Sequence, residues 1–92
     1  MIAVTRRPRL RSDARLRYDR HSGEHVLAHR DRGVVLSESA AELVALCDGT
    51  RTVSAIAERL AIRHSPRSAT DVLQQVRAFL GDLATRGLVV EV

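Results

Sequence analysis

Three histidines, His21, His25 and His29, follow one another at a spacing of four residues. On a helix this spacing would bring three imidazole rings to one face, where they could bind a metal ion. Ser22 and Gly23 interrupt the segment, and the flanking residues alternate between polar and apolar types, which indicates strands instead. On a strand only His25 and His29 share a face, and two ligands are too few for a stable zinc site. We therefore predict no metal site.

The chain has one cysteine, Cys47, which lies one helical turn after Leu43 in an apolar segment. A reactive thiolate requires an accessible, electropositive position, whereas the carboxylate of the adjacent Asp48 raises the thiol pKa. This pattern favours a cysteine that packs in the core. Asp71 and Asp82 are eleven residues apart, too far along one helix for joint acid–base work. We predict neither a catalytic group nor a bound cofactor.

Length and composition limit the chain to one small domain. It has 92 residues, of which 45% are hydrophobic and 2% aromatic. A chain of this size buries about 60–65% of the surface that it exposes when unfolded, which suffices for one thin core but not for a deep catalytic cavity as well. A single cysteine excludes an internal disulfide framework. The sequence contains neither a secretory signal pattern nor an apolar run of membrane-spanning length, so we expect a cytoplasmic protein without a membrane partner.

Positive charge is concentrated in the N-terminal third of the chain. The formal net charge is +4, and all 15 residues counted as Lys or Arg are arginine. Residues 1–32 contain nine arginines and four acidic residues, a net charge of +5, whereas residues 33–92 have a net charge of −1. We expect an acidic partner near the first segment, and the charge alone does not distinguish nucleic acid from protein.

Period-two alternation predicts three short strands that form an antiparallel meander. The first strand covers residues 14–19, where arginines alternate with apolar side chains, and residues 25–29 and 34–36 form the second and third. Glycine-containing turns separate the strands. Residues 1–13 are basic and lack periodicity, which predicts a mobile N-terminal arm. A single domain is then expected over residues 14–92.

Helical spacing begins after the third strand. Ser39 and Glu42 match a capping box at the start of the first helix, in which each side chain satisfies a free backbone N–H of the other residue. Asp48-Gly49 ends this helix, because glycine adopts the left-handed conformation of a helix C-terminus without strain. Thr52 opens the second helix as its N-cap.

The third helix carries the longest apolar stripe in the sequence. The break at Ser65-Pro66 precedes it, Ser68 or Thr70 can cap it, and Gly87 ends it. Residues 88–90 are apolar and can return as a short strand beside the helices. This order is typical of an α+β, winged helix-turn-helix-like fold, with a three-stranded N-terminal antiparallel sheet followed by three helices and a short C-terminal strand.

Two interaction surfaces are compatible with this arrangement. A helix-turn-helix regulator would bind DNA through its third helix, with Gln74 and Gln75 on adenine edges and Arg67 or Arg77 on phosphates. That helix has a net charge of only +1, so we predict no nucleic-acid partner and keep DNA binding as the alternative. The apolar strand 34–36 can instead accept a peptide strand by backbone hydrogen bonding. An open edge and a mobile arm are also compatible with a homodimer.

Four sequence blocks occur in order along the chain. They are Arg7-Pro8-Arg9-Leu10, the Arg-Leu-Arg-Tyr-Asp run at 15–19, Val-Leu-Ser-Glu-Ser-Ala-Ala-Glu-Leu at 35–43, and Leu-Cys-Asp-Gly-Thr-Arg-Thr-Val at 46–53. The later spacing of apolar residues and Gly87 fits the same pattern. The ordered set, which spans about residues 7–90, resembles the PqqD family, and the block at 46–53 is its most specific part.

The resemblance implies a non-catalytic peptide chaperone in the biosynthesis of pyrroloquinoline quinone (PQQ). PqqD-like proteins bind the ribosomally made precursor peptide PqqA. They present it to the radical SAM enzyme PqqE, which cross-links a Glu and a Tyr of the peptide. Single blocks would also suit a recognition domain of another modified-peptide pathway, which stays open as an alternative.

The wider class comprises the recognition elements of ribosomally synthesised and post-translationally modified peptides (RiPPs), and it takes the leader peptide as a strand beside the third strand. In this sequence the resemblance places the peptide-binding strand at Gly33, Val34, Val35 and Leu36. Helical spacing then predicts that this strand faces Val72, Gln75, Val76 and Phe79 on the third helix. The residues expected to attract an acidic peptide are Arg15, Arg17 and Arg32. His25 occupies a position where the resemblance leads us to expect a larger aromatic side chain.

Overall fold

The structure is a computed structural model that describes residues 3–64 and 69–92. This part of the chain contains five strands and three helices. In chain order they are β1 (Pro8–Leu10), β2 (Ala14–Asp19), β3 (Glu24–His29), β4 (Arg32–Leu36), α1 (Glu38–Ala45), α2 (Val53–His64), α3 (Ala69–Thr85) and β5 (Val89–Glu91). Strands β2, β3 and β4 form one antiparallel sheet, and β1 pairs with β5 in a second. The predicted α+β class with three helices and antiparallel sheets is confirmed, and the winged-helix description stays a prediction.

The three-stranded sheet has one buried face and one exposed face, as the alternation predicts. Leu27 and Val34 lie opposite each other in β3 and β4 and contribute to the hydrophobic core, with Leu27 only 1% exposed. Arg17, Val26 and Val35 form the next row across the sheet. Because successive side chains of a strand point to opposite faces, this row lies on the outer face.

The helices supply most of the core. Helices α2 and α3 pack along each other, and α1 covers the inner face of the three-stranded sheet. The largest side chains with almost no exposed surface are Leu27, Ile56, Leu80, Leu83, Val53 and Pro8. In the described part of the chain, every helix is too short or too polar to cross a bilayer.

Helix α1 begins at a different cap from the predicted one. The sequence predicts a box of Ser39 and Glu42, but the N-cap is Ser37, whose Oγ accepts a hydrogen bond from the Ala40 N–H at 3.2 Å. Ser37 has the extended dihedral angles of an N-cap, φ −65° and ψ 165°, because β4 ends at the residue before it. The Glu42 carboxylate instead forms an ion pair with Arg63, with Oε1 and Nε 2.7 Å apart.

The predicted start of α2 and the predicted end of α3 are both confirmed. Thr52 Oγ1 accepts a hydrogen bond from the Ala55 N–H at 3.1 Å, as an N-cap side chain does. Gly87 follows α3 with φ +75°, and the Leu88 N–H donates to the carbonyl of Leu83 at 2.9 Å. This bond and the positive φ are those of a Schellman C-terminus, which explains why glycine is required there.

The sequence pattern predicts a chain break and an N-cap before α3. The break at Ser65-Pro66 and the alternative cap Ser68 lie outside the described residues. The other alternative, Thr70, is the second residue of α3 as the structure describes it.

Within the predicted mobile arm, Pro8–Leu10 form β1, and described residues on either side of it make backbone hydrogen bonds. Strand β1 pairs with β5, and the Val53 N–H donates to the carbonyl of Arg6 at 3.0 Å. The predicted C-terminal strand therefore lies beside β1 and does not pack on the helices alone. No periodicity signals such a strand, because it has three residues and its partners are distant in the chain. The predicted domain boundary at residue 13 stays a prediction.

We expect Ser37→Ala to lower the free energy of unfolding by about 1 kcal/mol, because α1 loses the acceptor for the Ala40 N–H. Ser39→Ala is the matched control, and we expect it to change stability by less than about 0.5 kcal/mol. Urea denaturation followed by circular dichroism measures both variants. A larger loss of stability for Ser39→Ala than for Ser37→Ala would support the predicted capping box of Ser39 and Glu42 instead.

Candidate functional site

Strand β4 forms one edge of the three-stranded sheet. It pairs with β3, and within the described ranges no strand pairs with its other side. The two-residue connection Arg30-Asp31 joins the strands and places His29 opposite Arg32. A turn of this length closes with a hydrogen bond from the N–H of its last residue to the carbonyl of its first, so His29 and Arg32 form a hydrogen-bonded pair.

Backbone pairing alternates along β4 from this closing pair. Val34 and Leu36 also exchange hydrogen bonds with β3, whereas Gly33 and Val35 direct their N–H and C=O groups to the free edge. An unpaired strand edge is a template for another strand. The β4 edge therefore offers the backbone donors and acceptors of two residues to an added strand.

The side chains of β4 alternate between the two faces of the sheet. Leu36 is 7% exposed and packs in the core, whereas Val35 is 59% exposed on the outer face. Gly33 lies beside Val26 on that face, and a Cβ atom placed on Gly33 would lie 3.1 Å from Val26 Cγ1. Glycine at this position therefore leaves the side chain of Val26 undisturbed on the outer face.

The four predicted helix residues line one cavity. Val72, Gln75, Val76 and Phe79 of α3 border a space of about 440 Å³, which we call the apolar cavity. Its other lining residues, which the sequence analysis missed, are Ser39, Ala40, Leu43 and Leu60. Ser39, Ala40 and Leu43 lie in α1, and their helical spacing is the sequence signal that could have identified them as lining residues. Ser39 and Ala40 follow the last residue of β4, Leu36, by three and four residues, so this cavity lies near the C-terminal end of β4.

A second cavity lies at the N-terminal end of β4. It has a volume of about 560 Å³ and lies between Arg32 and Val34 on β4 and Arg86 and Leu88 after α3. The remaining lining residues are Leu27, His29, Arg30 and Asp31. We call this space the arginine cavity. Sequence reasoning missed Arg30 and Arg86 because no local pattern joins the β3–β4 turn to the end of α3.

The three arginines predicted to attract an acidic peptide do not lie together. Arg15 and Arg17 are on β2, the opposite edge of the sheet, in register with Ala28 and Val26 on the outer face. Two interstrand spacings of about 4.8 Å each separate β2 from β4. Arg32 alone lies at the β4 edge. The role of Arg15 and Arg17 stays a prediction, and their position limits it to long-range attraction.

The histidines contact neighbouring side chains near the strand ends. His29 Nε2 and Asp13 Oδ2 are 3.1 Å apart, and the rings of His25 and Tyr18 are 5.0 Å apart at an angle of 52°. Tyr18 and His25 are also register partners in β2 and β3. Of the residues described, no group of three His, Cys, Asp or Glu side chains is arranged to hold a metal ion.

Cys47 packs in the core as the sequence predicts. It is 4% exposed, and its Sγ donates a hydrogen bond to the carbonyl of Leu43 at 3.3 Å. Burial, and secondly the carboxylate of Asp48, raise the pKa of the Cys47 thiol to about 12. The thiol is therefore protonated at neutral pH and is not a nucleophile in the folded protein.

An open strand edge with a cavity at either end defines a class of peptide-binding module. A family model described as "Coenzyme PQQ synthesis protein D (PqqD)" matches residues 24–89, which is most of the chain. The chain belongs to the PqqD family, as its sequence blocks indicate.

Similar proteins cover two thirds of the chain or more. A "PqqA binding protein" of Rhodopseudomonas palustris (strain TIE-1) is 37% identical over 90 residues, which are 98% of this chain and 87% of that protein. One of Xanthomonas oryzae pv. oryzae (strain PXO99A) is 41% identical over 63 residues, 66% of this chain and 68% of that protein.

A solved structure shares the fold. The solution NMR structure of the PqqD truncation of Methylobacterium extorquens PqqCD superposes with a TM-score of 0.83 at 28% identity. The match covers 98% of this chain and 95% of that one. That protein is described as a functional, stand-alone RiPP recognition element.

Proposed function

We propose that this protein is a non-catalytic chaperone that binds the precursor peptide PqqA as a strand added to β4. The observation that carries the proposal is the free edge of β4, which borders the arginine cavity and leads directly into α1, a helix that lines the apolar cavity. Membership of the PqqD family and the names of the relatives as PqqA binding proteins support the choice of peptide.

Backbone pairing would supply a sequence-independent part of the affinity. Gly33 and Val35 present their N–H and C=O groups to the added strand, and this pairing leaves the β3–β4 hydrogen bonds intact. Main-chain pairing of this kind gives affinity, while pockets for alternate side chains give specificity. The edge therefore holds an extended peptide without selecting its sequence.

Side-chain selection would come from the apolar cavity. Val72 and Val76 are buried in its wall, and Phe79 is half-buried, so an apolar side chain of the peptide can be covered there. Gln75 is exposed at the same cavity and can form hydrogen bonds with the peptide backbone. These are the four residues that helical spacing predicts for the third helix.

The affinity is expected to be modest for the area of contact. PqqA is taken to be disordered when free, and ordering a disordered peptide costs about 2–5 kcal/mol of the interaction energy. A chaperone must also release its peptide, which a modest affinity allows. The arginine-rich N-terminal third increases the rate of association with an acidic peptide.

We further propose that the bound peptide is presented to the radical SAM enzyme PqqE. A strand held at the β4 edge leaves β1, β5 and the outer face of the three-stranded sheet accessible to a second partner. Because ribosomes make the peptide in the cytoplasm, the proposal places the protein there. The similarity to a RiPP recognition element also supports the alternative, a related modified-peptide pathway. Binding of PqqA in the experiment below would favour the PQQ pathway over this alternative.

Titration of ¹⁵N-labelled protein with synthetic PqqA should shift the amide signals of residues 33–36 and of α3. Signals of β1 and β5 serve as the internal control and should move little, because these strands pair with each other and line neither of the two cavities. An unchanged spectrum would refute the proposal. Duplex DNA at the same concentration is the second arm, and a response to DNA with none to peptide would favour the helix-turn-helix alternative.

Val35→Pro should weaken peptide binding about three- to tenfold, the equivalent of one lost backbone hydrogen bond. The substitution removes the N–H that faces the free edge and leaves the ladder to β3 intact, a position where a strand tolerates proline. Val35→Thr is the matched control and keeps both the N–H and the β-branched shape. Isothermal titration calorimetry with PqqA measures both, and equal affinities would contradict strand addition at Val35.

Presentation requires that the peptide and PqqE bind at the same time. Fluorescence anisotropy of labelled PqqA should rise when this protein is added and rise again when PqqE follows, because a larger complex tumbles more slowly. An unrelated protein of similar size to PqqE should give no second rise. A fall on addition of PqqE, which means that the peptide is displaced, would contradict presentation while leaving the binding proposal intact.

A further inference from the structure

We propose that the arginine cavity binds the carboxylate side chain of an acidic residue of the bound peptide and thereby sets the position of the peptide along β4. The inference rests on the proposed peptide binding and adds a specific acidic contact to it. The cavity lies where β4 begins, beside the free backbone groups of Gly33. A strand added to this edge passes the cavity.

The cavity combines an apolar floor with a basic rim. Leu27 and Leu88 are 1% and 5% exposed, and Val34 is half-buried between them and the solvent. Low-dielectric walls of this kind strengthen the attraction between opposite charges. Arginine matches a carboxylate with two parallel N–H donors, so the rim suits the acidic side chain of a peptide.

Two of the rim arginines are available to a ligand. Arg86 already pairs with Asp82, with Nε and Oδ2 3.2 Å apart. Arg30 and Arg32 have no ion-pair partner among the residues that the structure describes. Asp31 lies between them and offsets one of these two charges. The cavity therefore keeps a net positive charge that one carboxylate would neutralise.

The two cavities lie along one path and define a spacing in the peptide. The path follows α3 from Val76, in the apolar cavity, to Arg86, in the arginine cavity. Ten helical residues rise about 15 Å, which an extended strand covers in about four or five residues. Side chains that point to the same face of a strand are an even number apart. The peptide should therefore carry an apolar residue and an acidic residue about four positions apart.

A double-mutant cycle with synthetic PqqA tests this contact. Each Asp or Glu of the peptide is replaced in turn by Asn or Gln, and each peptide is titrated calorimetrically against the wild-type protein and Arg32→Gln. We expect one acidic position at which neutralisation weakens binding to the wild type about three- to tenfold, between the effect of an exposed ion pair and that of a charge-assisted hydrogen bond, because Arg32 is exposed. The same replacement should change binding to Arg32→Gln less than about twofold, since the partner charge is already gone.

Arg20→Gln is the matched control for the loss of one positive charge. Arg20 is exposed in the β2–β3 turn, at the opposite end of the sheet from the arginine cavity. We expect Arg20→Gln to retain the full effect of the peptide replacement, because long-range attraction does not depend on one contact. Arg30→Asn is a second test variant, chosen because Arg30 has φ +59° and asparagine tolerates that conformation. Amide spectra of each variant verify the fold.

The possible outcomes separate the two proposals. Peptide binding without coupling between Arg32 and any acidic position would overturn the carboxylate contact and leave strand addition intact. Absence of binding to the wild type would overturn both. In a last experiment the labelled protein is titrated with inorganic phosphate. If the amide signals of residues 30–34 shift equally with phosphate and with PqqA, the cavity is a general anion site. That result would overturn the assignment to a peptide carboxylate.

Discussion

The unpaired backbone of β4 is the constraint on which the rest of the structure depends. Buried N–H and C=O groups require partners, so a strand edge must stay open to water or receive another strand. Helix α3 packs on α2 and contacts β5, and within the described residues no strand pairs with the free side of β4. This arrangement maintains a groove between sheet and helix in a domain whose core is thin. Under the proposed function, the hydrogen-bonding groups that would cause nonspecific association in a flat edge would instead bind a peptide strand.

The second sheet explains how α3 is held in place. Helix α3 ends in a Schellman motif at Gly87, and β5 follows at once and pairs with β1. Strand β1 is in turn bonded to the α1–α2 connection through the Leu10 N–H and the carbonyl of Cys47, 2.9 Å apart. The N-terminal segment, the C-terminal strand and two helices are therefore linked by backbone hydrogen bonds. Loss of β1 would release the far end of α3 and with it one wall of the groove.

Much of this could be predicted because the signals are local. Alternation located β2, β3 and β4, and the Thr52 cap and Gly87 located the ends of helices. The Ser39–Glu42 box was wrong because the end of β4 decides where α1 can begin, and that end makes Ser37 the residue with extended dihedral angles. Strand β1 could not be predicted, since three residues carry no periodicity and the pairing partners come from the other end of the chain.

The charge distribution also separates what the sequence can predict from what only the fold shows. The excess of arginine in residues 1–32 indicates the sign of the partner but not the point of contact. Folding places Arg15 and Arg17 on the far edge of the sheet and brings Arg30 and Arg32 to Arg86, which belongs to the acidic remainder of the chain. A segment with net positive charge therefore contributes only part of its charge to the groove. The arginine cavity is basic because Arg30 and Arg32 are offset only by Asp31, whereas Arg86 pairs with Asp82.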